Sequence, residues 1–133
     1  MDYYIGQNVI ISREVKREDV EKYAELSGDF NPIHLDESYA KETRFGSCIA
    51  HGMLSGAYIS AILGTEFPGE GTVYISQNLK FLKPIFIGKR IKIKIEIKDI
   101  VKKRKAVIET EIRDEEDGLL VAGEAEVLLP VNH

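Results

Sequence analysis

"AHGMLSGAYISAILG", residues 50–64, is apolar or small on nearly every face. A helix with no polar stripe belongs inside a protein, so this stretch predicts one long buried helix. Gly52, Ser55, Gly56, Ala57, Ser60 and Ala61 leave room for another backbone or a ligand, while Leu54, Ile59, Ile62 and Leu63 supply bulk. Its glycines cost helix stability, which packing must offset. Downstream the texture changes. "RIKIKIEIKDI", residues 90–100, alternates Ile91, Ile93, Ile95 and Ile97 with Lys92, Lys94, Glu96 and Lys98, the period of a sheet with one dry face. "TVYISQNLKFLKP" (72–84) precedes it as a strand, and "AVIETEIRD" (106–114) and "LLVAGEAEVLLP" (119–130) follow as two more. Short turns carrying Gly88, Lys102-Lys103-Arg104 and Asp117-Gly118 join them. Upstream, "NVIISREV" (8–15) reads as a first strand. "REDVEKYAELSG" (17–28) then places Val20, Tyr23, Ala24 and Leu26 at helical spacing before Gly28 stops it. The expected fold class is α+β, an antiparallel sheet wrapped around one long buried helix.

Composition limits what such a fold can serve. A chain of 133 residues holds one core, and no repeat, low-complexity tract or linker divides it, so residues 1–133 read as a single domain. No window of about 18 uninterrupted apolar residues offers a membrane span. The amino-terminal "MDYYIGQNVIISREV" lacks a basic segment followed by an apolar run, so no signal peptide is evident. The single cysteine, Cys48, permits no internal disulfide, and a cytoplasmic location is expected. Without a basic neighbour in sequence it reads as a packing residue, not a nucleophile. A net charge of -4 argues against a general nucleic-acid binder. The local basic stretches around Lys80, Lys83, Lys89 and Arg90 could still meet a phosphorylated ligand, but a solvated sheet face is the preferred reading and sequence names no phosphate-binding residue among them.

The chemistry concentrates in "LSGDFNPIHLDESYA", residues 26–40. Pro32 fixes its own φ and pushes Asn31 out of the α region, so residues 29–34 are expected to form a fixed irregular turn that directs Asp29, Asn31 and His34 into one pocket. Each has a plainer reading. Asp29 and Asn31 are habitual turn residues, and a lone histidine is more often packed than catalytic. Four oxygen- and nitrogen-bearing residues in eight positions also invite a metal. A calcium loop starting at Asp29 would need glycine where His34 stands and an acid where Ala40 stands. A zinc or iron site would want a second histidine or a cysteine, absent from the motif, so neither metal nor cofactor is expected.

Tyr23, the run Leu26-Ser27-Gly28-Asp29-Phe30-Asn31-Pro32-Ile33-His34 and Ala40 resemble the signature of R-specific enoyl-CoA hydratases of the MaoC-like hot-dog family. Residues 50–88 are similar to the helix and following strand of its short single-domain members. The resemblance implies a hydro-lyase that adds water reversibly, with syn geometry, across a trans-2-enoyl-CoA to give an (R)-3-hydroxyacyl-CoA. It implies that Asp29 and His34 activate the water, with Asn31 holding the water or the acid. The unpaired N–H groups at the start of the buried helix make Gly52 the candidate donor to the thioester oxyanion, as at the matching family position. Ser60 matches a family serine near the active site and receives a secondary polar role. His51 is assigned a structural or pocket-lining role.

Rival functions are a dehydratase acting on acyl carrier protein thioesters, an acyl-CoA thioesterase and a non-catalytic acyl-binding protein. Residues 50–65 carry no carboxylate of the kind many hot-dog thioesterases place on this helix, and a binding protein has no reason to keep both Asp29 and His34. Sequence does not separate the two carriers. One sheet around one helix leaves open edges, so a homodimer is expected, as in the family. Phe30, Tyr39, Phe45 and Tyr58 are candidates for closing the acyl tunnel.

Overall fold

In a computed structural model, which describes residues 2–102 and 104–131, the chain runs β1 (Asn8–Glu14), α1 (Arg17–Ser27), α2 (Pro32–Leu35), α3 (Glu37–Lys41), α4 (Gly52–Thr65), β2 (Val73–Phe81), β3 (Arg90–Val101), β4 (Lys105–Asp114) and β5 (Leu119–Leu128). Lys103, within one expected turn, lies outside the described residues. The five strands form one antiparallel sheet in the order β1-β3-β4-β5-β2. Alternation does the sorting. Ile91, Ile93, Ile95 and Ile97 are each 0% exposed, as are Ala106, Ile108 and Ile112 on β4, while the intervening side chains reach solvent. At roughly 1.5–3 kcal/mol for each buried large aliphatic side chain, this face supplies the main drive for folding.

Leu54, Tyr58, Ile59, Ile62 and Leu63 of α4 join that core. The expectation of a helix buried all round is corrected, however. Met53 is 57% exposed and Ala57, Ser60 and Ala61 are exposed as well, so a second face of α4 stays open in the single chain. Five strands cover one side of a helix and leave the other for something else.

α1 ends as its sequence requires, with Gly28 in the left-handed region at φ 81° and its N–H donating to the Ala24 carbonyl. Beyond it the expectation of a wholly irregular turn also needs correcting. Asn31 does sit outside the α region at φ -54°, ψ 122°, but Pro32 opens a helical turn instead of preventing one. Proline at the first helical position has no N–H to leave unpaired, and its fixed φ suits the start. Asn31 caps that turn, and Asp36 caps α3 by accepting from the Tyr39 N–H at 3.1 Å.

Candidate active site

Three short-range devices set the motif. The Ser27 hydroxyl accepts from the Asp29 N–H at 3.1 Å, Asp29 Oδ1 accepts from the Asn31 N–H at 3.2 Å, and Asn31 Oδ1 accepts from the Ile33 N–H at 3.3 Å. The chain is thus locked residue by residue up to His34, the buried member of the group. Asn31 Oδ1 serves the cap, which leaves the Nδ2 amino group as its free donor.

The His34 ring is fixed from behind. Its Nδ1 lies 2.7 Å from the Ile49 carbonyl, an acceptor only, so Nδ1 carries the proton and Nε2 keeps a lone pair. Burial lowers the pKa of His34, the nearby His51 ring acts in the same direction, and the Ile49 bond and Asp29 oppose them. The ring is therefore a neutral acceptor near pH 7. His51 repeats the pattern. Its Nε2 lies 3.0 Å from the Asp29 carbonyl and so donates to it, while Nδ1 is buried with no partner among the described residues. The two imidazoles stack at 3.9 Å between centroids with 31° between planes, and Tyr23 covers His51 at 4.7 Å.

One ligand atom each from Asp29, His34 and His51 lies within 4.8 Å of the others. Two acceptors up to roughly 5.6 Å apart can share one water about 2.8 Å from each, and the ligand atoms of Asp29 and His34 lie inside that limit. The same observation corrects the reason for setting a metal aside. The second imidazole missing from the motif arrives from α4, and Asp29, His34 and His51 together could meet one divalent cation.

His51 is also the N-cap of α4, which puts Gly52 at the first helical position, where an N–H has no intrahelical acceptor. A Cβ at Gly52 would stand 3.1 Å from the Phe81 ring, so the glycine lets that ring close against the helix start. His34, Gly52, Phe45 and Phe81 line one cavity of about 310 Å³; Asp29, exposed, stands beside it. Ser60 is not brought to the site. It is exposed and eight residues beyond Gly52, about 12 Å along the axis. Ser55, by contrast, is buried and bonds back to the Gly52 carbonyl. Of the four aromatic tunnel candidates only Phe45 lines this cavity. Tyr58 sits in the core with its hydroxyl donating to Asp19 at 2.8 Å, and Phe30 and Tyr39 are exposed. The bond of His51 to the Asp29 carbonyl and its stack on His34 span 22 and 17 residues, so no local sequence pattern announces these partners.

The model of the MaoC-like domain matches residues 4–118. The chain is 40% identical over 129 residues to the 3-hydroxybutyryl-CoA dehydratase of Methylorubrum extorquens, covering 97% of this chain and 82% of that protein. It is 37% identical over 127 residues to the (R)-specific enoyl-CoA hydratase of Aeromonas caviae, covering 95% of each. The unliganded R-hydratase PhaJ1 of Pseudomonas aeruginosa superposes with a TM-score of 0.94 at 38% identity, covering 98% of this chain and 84% of that one.

Proposed function

The chain belongs to the MaoC-like family and has its hot-dog fold, and from that premise we propose that it is an R-specific enoyl-CoA hydratase, a hydro-lyase converting trans-2-enoyl-CoA and water reversibly to (R)-3-hydroxyacyl-CoA. The observation that carries the reading is the approach of Asp29 to His34, whose ligand atoms lie within 4.8 Å of one another while the Ile49 carbonyl fixes the His34 ring from behind. Water held there is a poor nucleophile until one of the pair takes its proton as its oxygen bonds the β-carbon. The pair then gives a proton to the α-carbon from the same side, which replaces the one taken from water, restores the site and gives syn addition. As the bond forms, charge moves onto the thioester oxygen, and the Gly52 N–H at the start of α4 is the donor we assign to it. One such donor is typically worth about 3–4 kcal/mol of barrier. His51 holds the Asp29 backbone and stacks on His34, so its part is to position the pair. Asn31 offers its amino group to the water or the acid.

The substrate is then an acyl thioester on coenzyme A. No helix among the described residues is long and apolar enough to cross a membrane. A cytoplasmic location belongs to the same reading, supported by the free thiol of Cys48. A homodimer does too, supported by the open face of α4 beside the edge strand β2.

The test follows loss of the conjugated enoyl absorbance with crotonyl-CoA, with chiral analysis of the product. Wild type is expected to yield the R product, and Asp29→Asn and His34→Ala to lose at least about 100-fold in kcat. Release of free thiol with the double bond intact would instead make the protein a thioesterase. Activity is expected to survive dialysis against a chelator. Loss restored by a divalent cation would mean that Asp29, His34 and His51 hold an ion.

A further inference from the structure

Two cations enter the wall of the catalytic cavity, and neither belongs to the water-activating group. Arg44 and Lys83 line the same 310 Å³ space as His34 and Gly52, and no Asp or Glu is among its lining residues. Both side chains are exposed, and neither is paired with a carboxylate among the described residues. They therefore mark where the cavity opens to solvent. Their positions are fixed relative to the chemistry. The Ala50 N–H donates to the Ile85 carbonyl at 2.8 Å, Ile49 bridges Phe86, and the Ile49 carbonyl holds His34. Lys83, two residues before Ile85, leaves from the strip of chain against which the histidine is mounted. The N–H groups of Leu82 and Lys83 both donate to the Leu120 carbonyl, which pins that strip to the sheet. Arg44 comes from a separate segment, in a turn closed by the Gly46 N–H on the Thr43 carbonyl, with its guanidinium 4.8 Å from the Phe45 ring of the same cavity.

From this we infer that Arg44 and Lys83 form an anion clamp at the opening of the catalytic cavity, which holds a phosphate of the group carrying the acyl thioester. The inference rests on the hydratase reading for the identity of the ligand. A guanidinium offers paired donors to phosphate oxygens, and an ammonium from a second segment of the same lining adds a point charge. The neighbouring cavity is the natural comparison. It shares Lys83 and contains Lys89 and Arg90, but Asp114, Glu115 and Glu116 line it too, so its cations face carboxylates and its net field on an anion is small. The clamp therefore belongs to Arg44 and Lys83, and not to the more basic-looking run at residues 89–90.

The experiment compares three crotonyl thioesters on wild type, Arg44→Ala, Lys83→Ala and the double variant. Crotonyl-pantetheine has no phosphate, crotonyl-4'-phosphopantetheine has one monoester, and crotonyl-CoA has the full set. Each single variant is expected to raise KM for crotonyl-CoA about three- to tenfold, with kcat little changed and KM for crotonyl-pantetheine within about twofold of wild type. Raising ionic strength should weaken wild type toward the double variant. Arg44→Lys should recover part of the loss, and Lys89→Ala and Arg90→Ala should leave KM unchanged. If the phosphopantetheine thioester shows the full effect, the clamp reads the phosphate common to coenzyme A and to a carrier protein's prosthetic arm. If only crotonyl-CoA shows it, the clamp reads the nucleotide phosphates. Equal losses on crotonyl-pantetheine, or equal losses from the residues at 89 and 90, would overturn the clamp while leaving hydration intact. A wild type that hydrates none of the three would overturn the hydratase reading itself.

Discussion

The Nδ1–H of His34 is held by the Ile49 carbonyl at 2.7 Å, and burial disfavours a charge on the ring, so the lone pair on Nε2 is available where an unburied imidazole would be half protonated. Two pH dependences follow with the same sign. The acid limb of kcat/KM should have its midpoint below 6.5, the ordinary histidine value, because the proposed Asp29–His34 pair can hold water on the His34 lone pair only while that ring is neutral. Stability moves in parallel. With the folded-state pKa depressed, the unfolded chain binds more protons in the window below 6.5, so folding free energy should fall as pH falls through that window. A pH–rate profile checks the first, and urea midpoints across the same range check the second, where His34→Gln should flatten the slope. A midpoint above 6.5 would mean that Asp29 outweighs burial. At this scale much was legible from sequence. Asp29, Asn31 and His34 lie within six positions, and the chain around them is bonded link by link, so spacing carries the geometry. His51 was not legible as the clamp on Asp29, since that bond spans 22 residues and depends on where α4 docks.

Among the elements, strands and the longer helices were read because burial has a period, and the boundaries fell within a few residues where a glycine or a turn enforced them. α1 stops at Gly28 for a backbone reason visible in the letters. The short elements were not read. α3 spans five residues, too few for periodicity, and depends on the Asp36 cap. Pro32 reads locally as a helix breaker, yet at the first helical position it starts α2. The sheet also contains a constraint that strand patterning hides. Gly123 on β5 faces Leu79 on β2, and a Cβ there would lie 2.0 Å from the Asn78 carbonyl oxygen and 3.1 Å from Leu79 Cδ2. Backbone cannot yield as a side-chain tip can, so β2 would have to move. Gly123→Ala is expected to cost about 3 kcal/mol or more in urea denaturation, at or beyond the upper end of ordinary overpacking. Gly64→Ala, in α4 with open space around its Cα, should instead stabilise by up to about 1 kcal/mol. Equal effects at the two glycines would contradict this packing.

At the scale of the molecule, the sheet has two free edges of different character. β1 has seven residues, and Arg13 and Glu14 sit near its end, which makes a poor template for pairing. β2 has nine, and Val73, Tyr74, Ile75 and Phe81 are 38–50% exposed along it. The open face of α4 lies beside this edge, and Met53 and Gly56 share a hollow of about 250 Å³ with Tyr74, Ile75 and Leu79. An apolar strand edge continuous with an apolar helix face is the surface a second copy of the chain would cover, by extending the sheet and closing over α4 at once. It is also coupled to the chemistry, because Phe81 at the end of β2 packs on Gly52, the proposed oxyanion donor. Light scattering should therefore give twice the chain mass at micromolar concentration. Ile75→Lys, which places a charge in the hollow, should produce monomers with kcat reduced as β2 and Phe81 lose their support. Monomeric wild type would sink the interface. A monomeric variant with full activity would leave the dimer standing but cut its link to Gly52, and the oxyanion site would then have to be complete within one chain.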